Sequence, residues 1–270
     1  NVPEIFNFSD KIELLSQSEG SCLKNFKITP QRELVLDALA KNGPQTLAQI
    51  RGATGVGSRV IMGLLTCGVI QKQIVEDKFI PQSLGALDEN LVKLNDEQAT
   101  AVKCLINVNR QNKFSVSLID GVTGSGKTEV YFEVIAEVLK KGFQVLILVP
   151  EIALARPFIE RFSKRFGATP VEWHSELPTK KRRRIWRAIL EGNVNVLVGA
   201  RSALFLPFPN LGLLVVDEEH ESAFKQMEGS RYHARDMSIL RAKCSDIPII
   251  LASATPSLET LHNSETGRFR

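Results

Sequence analysis

The order of apolar runs predicts an α/β fold: a lobe on a mostly parallel sheet, preceded by a small domain of short helices and a hairpin. Three observations carry this. From residue 114 onward, runs rich in Val, Ile and Leu alternate with helix-like runs, as in parallel strands joined by helical crossovers. Before residue 81 the order is instead short helices followed by two short strands. Near the start of the lobe, Gly121-Val-Thr-Gly-Ser-Gly-Lys-Thr128 fits G-x-x-x-x-G-K-[ST] without a mismatch. It follows the strand-like run Phe114–Ile119 and opens a helix-like run from Thr128 to Lys141.

Taken in order, residues 1–28 show no sustained period and read as a lead-in segment. Pro30 suits a first helical turn, and Leu34, Val35, Leu36, Ala38 and Leu39 give that helix an apolar face. Gly43-Pro44 ends it. Thr46 can cap a second helix over Leu47–Ala53, and Ser58 a third carrying Val60, Ile61, Leu64 and Leu65. The strand-like runs Val69–Val75 and Lys78–Ile80 then complete the order of a winged helix over residues 29–81. The third helix holds one basic residue, Arg59, so packing, protein contact and nucleic-acid contact all stay open. Residues 82–93 read as a linker. Asn95 caps a helix running to about Asn109, with Gln98 at the capping-box position. A glutamine there can also read an adenine edge; the stretch alone favours the cap. The lobe spans 94–270, with further strands at Phe143–Val149, Pro170–Trp173, Val194–Val198, Leu211–Val216 and Ile247–Leu251. Helices are expected near Ala153, Thr179, Ser230 and Ser257.

Composition narrows the function classes. At 270 residues, 43% hydrophobic and 24% charged, the chain has the make-up of a soluble globular protein. No apolar run reaches the ~18 residues of a membrane helix. Asn1-Val-Pro-Glu4 shows neither a secretion signal nor an initiator Met, which reads as a cytoplasmic chain cut from a longer one. Cys22, Cys67, Cys104 and Cys244 are scattered and form no C-x-x-C pair, so a zinc site or disulfide framework is not expected; isolated buried thiols are. The net charge of +4 says little by itself about a polyanionic partner.

The chemistry follows from residue types at fixed spacings. In the glycine-rich loop, Gly121, Gly124 and Gly126 permit turns barred to other residues, so backbone N–H groups of Val122, Thr123, Ser125 and their neighbours can converge on one phosphate. The helix N-terminus adds positive potential. Lys127 can reach the β- and γ-phosphates and Thr128 can ligate Mg²⁺. The lobe is therefore expected to be a P-loop NTPase of RecA-like type, with ATP and Mg²⁺ as ligands. Leu211-Gly-Leu-Leu-Val-Val-Asp217-Glu218-Glu219-His220 is an apolar strand ending in acids, at the sheet edge where α/β ligands bind. Asp217 suits Mg²⁺, usually through water, and Glu218 suits polarising the attacking water. Ser253-Ala-Thr255 follows the strand Ile247–Ala252 and can relay the state of the γ-phosphate, or simply form a turn before a cap at Ser257. Lys180–Arg184 with Arg187 is the densest basic run; a solvated helix face and a phosphate contact both stay open, with Ile185, Trp186 and Ile189 on the apolar side. His174 reads as structural.

The order Gln98, glycine-rich loop, D-E-E-H, S-A-T resembles the first motor lobe of superfamily 2 helicases. Within them the chain is most similar to the bacterial primosomal replication-restart helicases. That resemblance rests on Gly121–Tyr131, Val149-Pro-Glu-Ile-Ala-Leu154, Val198-Gly-Ala-Arg-Ser-Ala-Leu-Phe205, Asp217–His220 and Arg231-Tyr-His-Ala-Arg-Asp236. It is dense from about Leu94 to Leu261, and the Y-H-A-R-D segment is its most family-specific piece.

The resemblance implies an ATP-driven DNA motor that restarts replication at stalled forks, with Lys127, Asp217, Glu218 and His220 catalytic and Gln98 on adenine. Segments matching Pro150–Arg156 and Gly199–Ala203, with Arg201, would line a single-strand track. A loop over Glu221–Arg235 would couple DNA to hydrolysis, offering Phe224, Lys225, Arg231, Tyr232 and Arg235. Its aromatics can stack on bases while its cations meet phosphates, or can pack on the lobe. Ser253 and Thr255 would couple the two sites. Implied partners are single-stranded and forked DNA, primosome proteins and single-stranded-DNA-binding protein, with no membrane. The resemblance also implies a second lobe with activating arginines and zinc cysteines, and an N-terminal DNA-end-binding domain. The present stretch should therefore hydrolyse nucleotide poorly. A nucleotide-dependent docking module and a related fork-remodelling translocase are the alternatives.

Overall fold

The computed structural model describes residues 4–8, 28–74, 84–85, 93–111, 113–150 and 156–270. The chain forms two compact units, Asn1–Lys78 and Phe79–Arg270.

In the first unit, β1 (Glu4–Phe8) is the middle strand of an antiparallel sheet, flanked by β2 (Gln45–Thr46) and β3 (Ile70–Ile74). This corrects the reading of residues 1–28 as a lead-in. Pairing of β1 with β3 joins segments far apart in sequence, which local periodicity does not register. Helices α1 (Pro30–Asn42), α2 (Leu47–Thr54) and α3 (Ser58–Thr66) pack on it around Phe6, Val35, Leu39, Ile50, Ile61 and Leu64. Thr29 caps α1, and Thr46 with Gln49 forms a capping box on α2. Gly57, not Ser58, is the N-cap of α3. Arg59 is exposed on α3. The expected strand Lys78–Ile80 lies outside the described residues.

The second unit is an α/β lobe. Its six parallel strands run β4 (Ser115–Asp120), β11 (Pro248–Ser253), β8 (Leu211–Asp217), β5 (Gln144–Leu148), β7 (Val196–Gly199), β6 (Val171–Trp173) across the sheet. Strands β5, β7 and β11 are buried along their length because helices cover both faces, which is why they read as continuous apolar runs. The connecting helices are α4 (Asp96–Arg110), α5 (Lys127–Lys140), α6 (Arg156–Phe166), α7 (Thr179–Leu190), α8 (Ala234–Cys244) and α9 (Leu258–Glu265).

Two differences from the sequence reading matter for the site. The helix expected from Ser230 begins at Ala234, because Tyr232–His233 (β10) pairs with Lys225–Gln226 (β9) as a short hairpin. Within the stretch read as a linker, Leu84 packs on the lobe's core and Gly85 N–H donates to the Phe166 carbonyl at 2.8 Å. Against one face of the sheet, Tyr131, Phe132, Phe158, Phe162 and Phe166 form a buried run of rings, with Tyr131 stacked on Phe158 and Phe162 tilted against Phe166 with centroids 4.4 Å apart. No helix among the described residues is long and apolar enough to cross a membrane. Cys67, Cys104 and Cys244 are exposed free thiols, not the buried ones expected.

Candidate nucleotide site and adjoining cleft

The strand order builds the site. β4, β11 and β8 are neighbours, with Asp120 opposite Ser253 and Asp217 opposite Ala252. Three segments remote in sequence therefore meet at one C-terminal sheet edge: the glycine-rich loop, S-A-T and D-E-E-H. Gly121 N–H donates to the Ser253 carbonyl at 3.3 Å, tying the first two together directly.

Gly124 and Gly126 have φ of 82° and 85°, in the left-handed region that favours glycine. At Gly126 a Cβ would lie 2.3 Å from Gln98 Nε2. That nitrogen donates to the Ser125 carbonyl at 2.7 Å, while Gln98 Oε1 accepts from Asn95 N–H at 2.9 Å. The glutamine thus completes the capping box and braces the loop from behind. Lys127 is buried and its Nζ donates to the carbonyls of Gly121 at 2.7 Å and Val122 at 3.4 Å, inside the turn.

Tyr131, one turn further along α5, was not singled out by residue type. Its hydroxyl donates to Asp217 Oδ2 at 3.1 Å and is hydrogen-bonded to Thr128 as well. The two side chains expected to hold Mg²⁺ are therefore linked through one fully buried phenol. Burial, with the Asp217 charge, pushes that phenol well above its usual range. Burial also raises the Asp217 carboxyl from 3.8 to about 6, helped by the Glu218 charge and opposed by the Tyr131 hydrogen bond and by Lys127. Glu218 has a φ of 49°, an uncommon backbone state for a side-chain-bearing residue, and its Oε2 is buried without a hydrogen-bond partner. His220 Nδ1 lies 2.7 Å from Ser253 Oγ. A turn that only glycine fits, a lysine within it and a carboxylate oxygen that accepts no hydrogen bond at the end of β8 suit a nucleoside triphosphate with its magnesium ion.

Along the same edge a cleft of about 670 Å³ brings together Pro150 and Arg201, expected to line a strand track, and Tyr232, expected in the coupling loop, with His174, Glu176 and Gln226, which were not expected there. His174 and Glu176 follow β6 at the sheet edge, a position that strand order reveals and residue type does not. The Arg201 guanidinium donates to the carbonyls of Ala223 at 3.1 Å and Lys225 at 2.9 Å, holding the start of the hairpin. Tyr232 meets Phe205 edge-on with centroids 5.3 Å apart. Lys225, Arg231 and Arg156 are exposed; residues 151–155 lie outside the described ones.

Two residues expected on DNA are elsewhere. Phe224 is fully buried in the lobe's core, so its ring is not offered to a base. Arg235 is 7% exposed and its guanidinium is held by Glu219, Asp236 and Ser257. On α7 the exposed face carries Lys180, Lys181, Arg182 and Arg183, and Trp186 joins it at 46% exposure, whereas Ile185, Ala188 and Ile189 are buried. Thr255 is exposed and its N–H donates to Ser253 Oγ at 3.0 Å.

With this geometry in place, residues 95–264 match the DEAD/DEAH box helicase family. The chain belongs to that family. Among individual proteins it is 50% identical over 180 residues to Replication restart protein PriA of Rickettsia conorii, a match covering 67% of this chain and 27% of the relative. To Replication restart protein PriA of Bacillus subtilis it is 38% identical over 266 residues, covering 96% of this chain and 32% of the relative. The chain thus spans about a third or less of the length of these relatives. Among solved structures, RecG bound to a three-way DNA junction superposes with a TM-score of 0.52 at 22% identity, over 70% of this chain and 25% of that one. That likeness concerns the fold of the lobe.

Proposed function

We propose that this chain is the nucleotide-binding motor lobe, with a preceding winged-helix unit, of an ATP-dependent DNA helicase acting in replication restart. The observation that carries the reading is the adjacency of β4, β11 and β8, which assembles the glycine-rich loop, S-A-T and D-E-E-H beside a cleft containing Tyr232. Bound Mg·ATP supplies the reactive γ-phosphoryl group and the charge neutralisation that phosphoryl transfer needs. The chain's residues bind and orient. Backbone N–H groups of the glycine-rich loop other than those of Gly121 and Ser125, with Lys127, would hold the phosphates; Thr128 and Asp217 would hold the ion, fixed relative to each other by Tyr131. Glu218 Oε2, which accepts no hydrogen bond and lies 3.7 Å from His220 Nδ1, would accept a proton from water. Gln98 contributes by bracing Ser125; its expected contact with adenine would require releasing one of its present bonds. In the cleft, Tyr232 offers a ring face to bases, while exposed Lys225 and Arg231 meet phosphates. Single-stranded and forked DNA, restart proteins and single-stranded-DNA-binding protein are the partners this reading assigns to the full-length protein.

The test is ATP hydrolysis by the full-length protein with and without single-stranded or forked DNA, repeated on Lys127→Ala and Glu218→Gln. DNA-stimulated hydrolysis lost in both variants is expected. Hydrolysis indifferent to DNA would discard the helicase reading and leave the nucleotide site; no hydrolysis would leave a docking module.

A further inference from the structure

Helix α7 carries the densest run of positive charge in the chain, and neither the nucleotide site nor the cleft uses it. Lys180, Lys181, Arg182, Arg183, Arg184 and Arg187 fall within eight residues, and α7 contains no acid. Lys180, Arg183 and Arg187 are exposed and share one row of the helix, opposite buried Ile185, Ala188 and Ile189. At 1.5 Å of rise per residue the row is about 10 Å long. Its neighbours hold it in place: Arg182 lies over the Trp173 ring, 5.2 Å from the centroid, and Arg187 pairs with Glu191 at 2.8 Å.

This arrangement works against the helix that carries it. Pro178 at the N-cap supplies no side-chain hydrogen bond, and the first turn holds no acid. Lys180, Lys181 and Arg182 instead put positive charge where the helix macrodipole is already positive. Lys180 also repels Arg183 and Arg184, three and four residues on. A face serving solubility alone would mix both signs of charge. A face that meets a polyanion draws on the same repulsion, because the ligand relieves it. The position of the row points the same way. Just before α7, His174, Ser175 and Glu176 line the cleft. Four residues of chain lead from Glu176 to Lys180, so the row begins within about 14 Å of the cleft wall. That distance is about four base-pair steps of duplex DNA.

We propose that the Lys180–Arg183–Arg187 row of α7 is a second DNA contact, separate from the cleft, which holds phosphates of the duplex arm adjoining the single strand. This rests on the function proposed above. The row stands on the convex surface of a helix, which suits phosphates on the outside of a duplex. A single strand is held instead in a groove, by rings on which its bases stack. Phosphate contacts carry no sequence information; they fix register and orientation. The row therefore sets where the junction between duplex and single strand sits on the lobe.

The experiment uses the full-length protein with the pairs Lys180→Ala/Arg183→Ala and Lys180→Glu/Lys181→Glu. The control is Lys140→Ala/Lys141→Ala, at the end of α5 remote from the glycine-rich loop. Anisotropy titrations use a labelled single strand and the same strand carrying a duplex arm, at about 50 to about 200 mM salt. For Lys180→Ala/Arg183→Ala, loss of two phosphate contacts should reduce the slope of log K against log salt by about 2 on the duplex-flanked DNA. Affinity for that DNA should fall about tenfold, while single-strand affinity and the control change by less than about twofold. Lys180→Glu/Lys181→Glu should weaken duplex-flanked binding further and keep or raise the melting temperature, because acids suit a helix start; unfolding then does not explain the loss. An unchanged salt slope on duplex-flanked DNA, an equal fall on both DNAs, or an equal fall in the control would each overturn the proposal. Unchanged DNA binding with lost binding of poly-L-glutamate would also overturn it, and would assign the face to an acidic protein segment. A wild-type protein that binds neither DNA would instead overturn the helicase reading itself.

Discussion

Replacing Asp217 with Asn should stabilise the lobe, although it should abolish hydrolysis. The carboxyl is raised from 3.8 to about 6, chiefly because burial penalises its charge, with the neighbouring Glu218 carboxylate adding to that. The folded state therefore binds this proton more tightly than the unfolded state does. Stability linked to it is fully present below 3.8 and is lost as pH rises through about 6. The displacement corresponds to about 3 kcal/mol, and solvent at the partly open edge reduces this to about 2 kcal/mol. Asparagine fills the same volume, still accepts from Tyr131 and carries no charge to desolvate. In magnesium-free buffer with a chelator, urea unfolding from pH 4 to 8.5 should show little difference at the acid end. Above pH 7 the variant should be about 2 kcal/mol more stable. Trp173 and Trp186, the two tryptophans of the chain, both lie in the second unit, so their fluorescence follows the lobe alone. A variant less stable than wild type at pH 8, or a difference independent of pH, would refute the reasoning.

Other perturbations have equally direct expectations. Gly126→Ala places a Cβ against Gln98 in a backbone state that alanine resists; nucleotide binding should fall at least about tenfold, read by titration with a fluorescent ATP analogue. Phe224→Ala should cost about 3–5 kcal/mol in unfolding experiments, because the ring is in the core. Tyr232→Ala should instead leave the melting temperature nearly unchanged and weaken single-stranded DNA binding by about 1–3 kcal/mol in an anisotropy titration. Tyr131→Phe removes the hydroxyl shared by Thr128 and Asp217, and should raise the magnesium concentration needed for half-maximal nucleotide binding.

The segments of the candidate nucleotide site were legible because each pattern is local. A glycine pattern between a strand and a helix, and acids at the end of an apolar strand, each declare themselves within about ten residues. Tyr131 was not, because its role depends on Asp217, a residue 86 positions away that the strand order brings to hand. The stretch Glu221–Arg235 misled for a related reason. Phe224 is surrounded by Glu221, Ser222, Lys225 and Gln226, so local polarity suggests an exposed ring, whereas a short turn over Ser222–Phe224 directs it into the core. Arg235 lies in a basic stretch that looks solvated, and only the tertiary fold supplies the Glu219 that withdraws it. The central strand of the first unit was missed because its partners are distant and its own pattern is short.

The run of rings behind α5 has a consequence for ligand affinity. Tyr131 ends a series of interlocked aromatic side chains shared by α5 and α6, each of which loses its rotational freedom when the lobe folds. The phenol that orients Asp217 is therefore already immobile before any ligand arrives. No ordering of that side chain is deducted from the free energy of nucleotide binding, and loosening the rings, for example by Phe158→Leu, would transfer that entropy loss to the binding step.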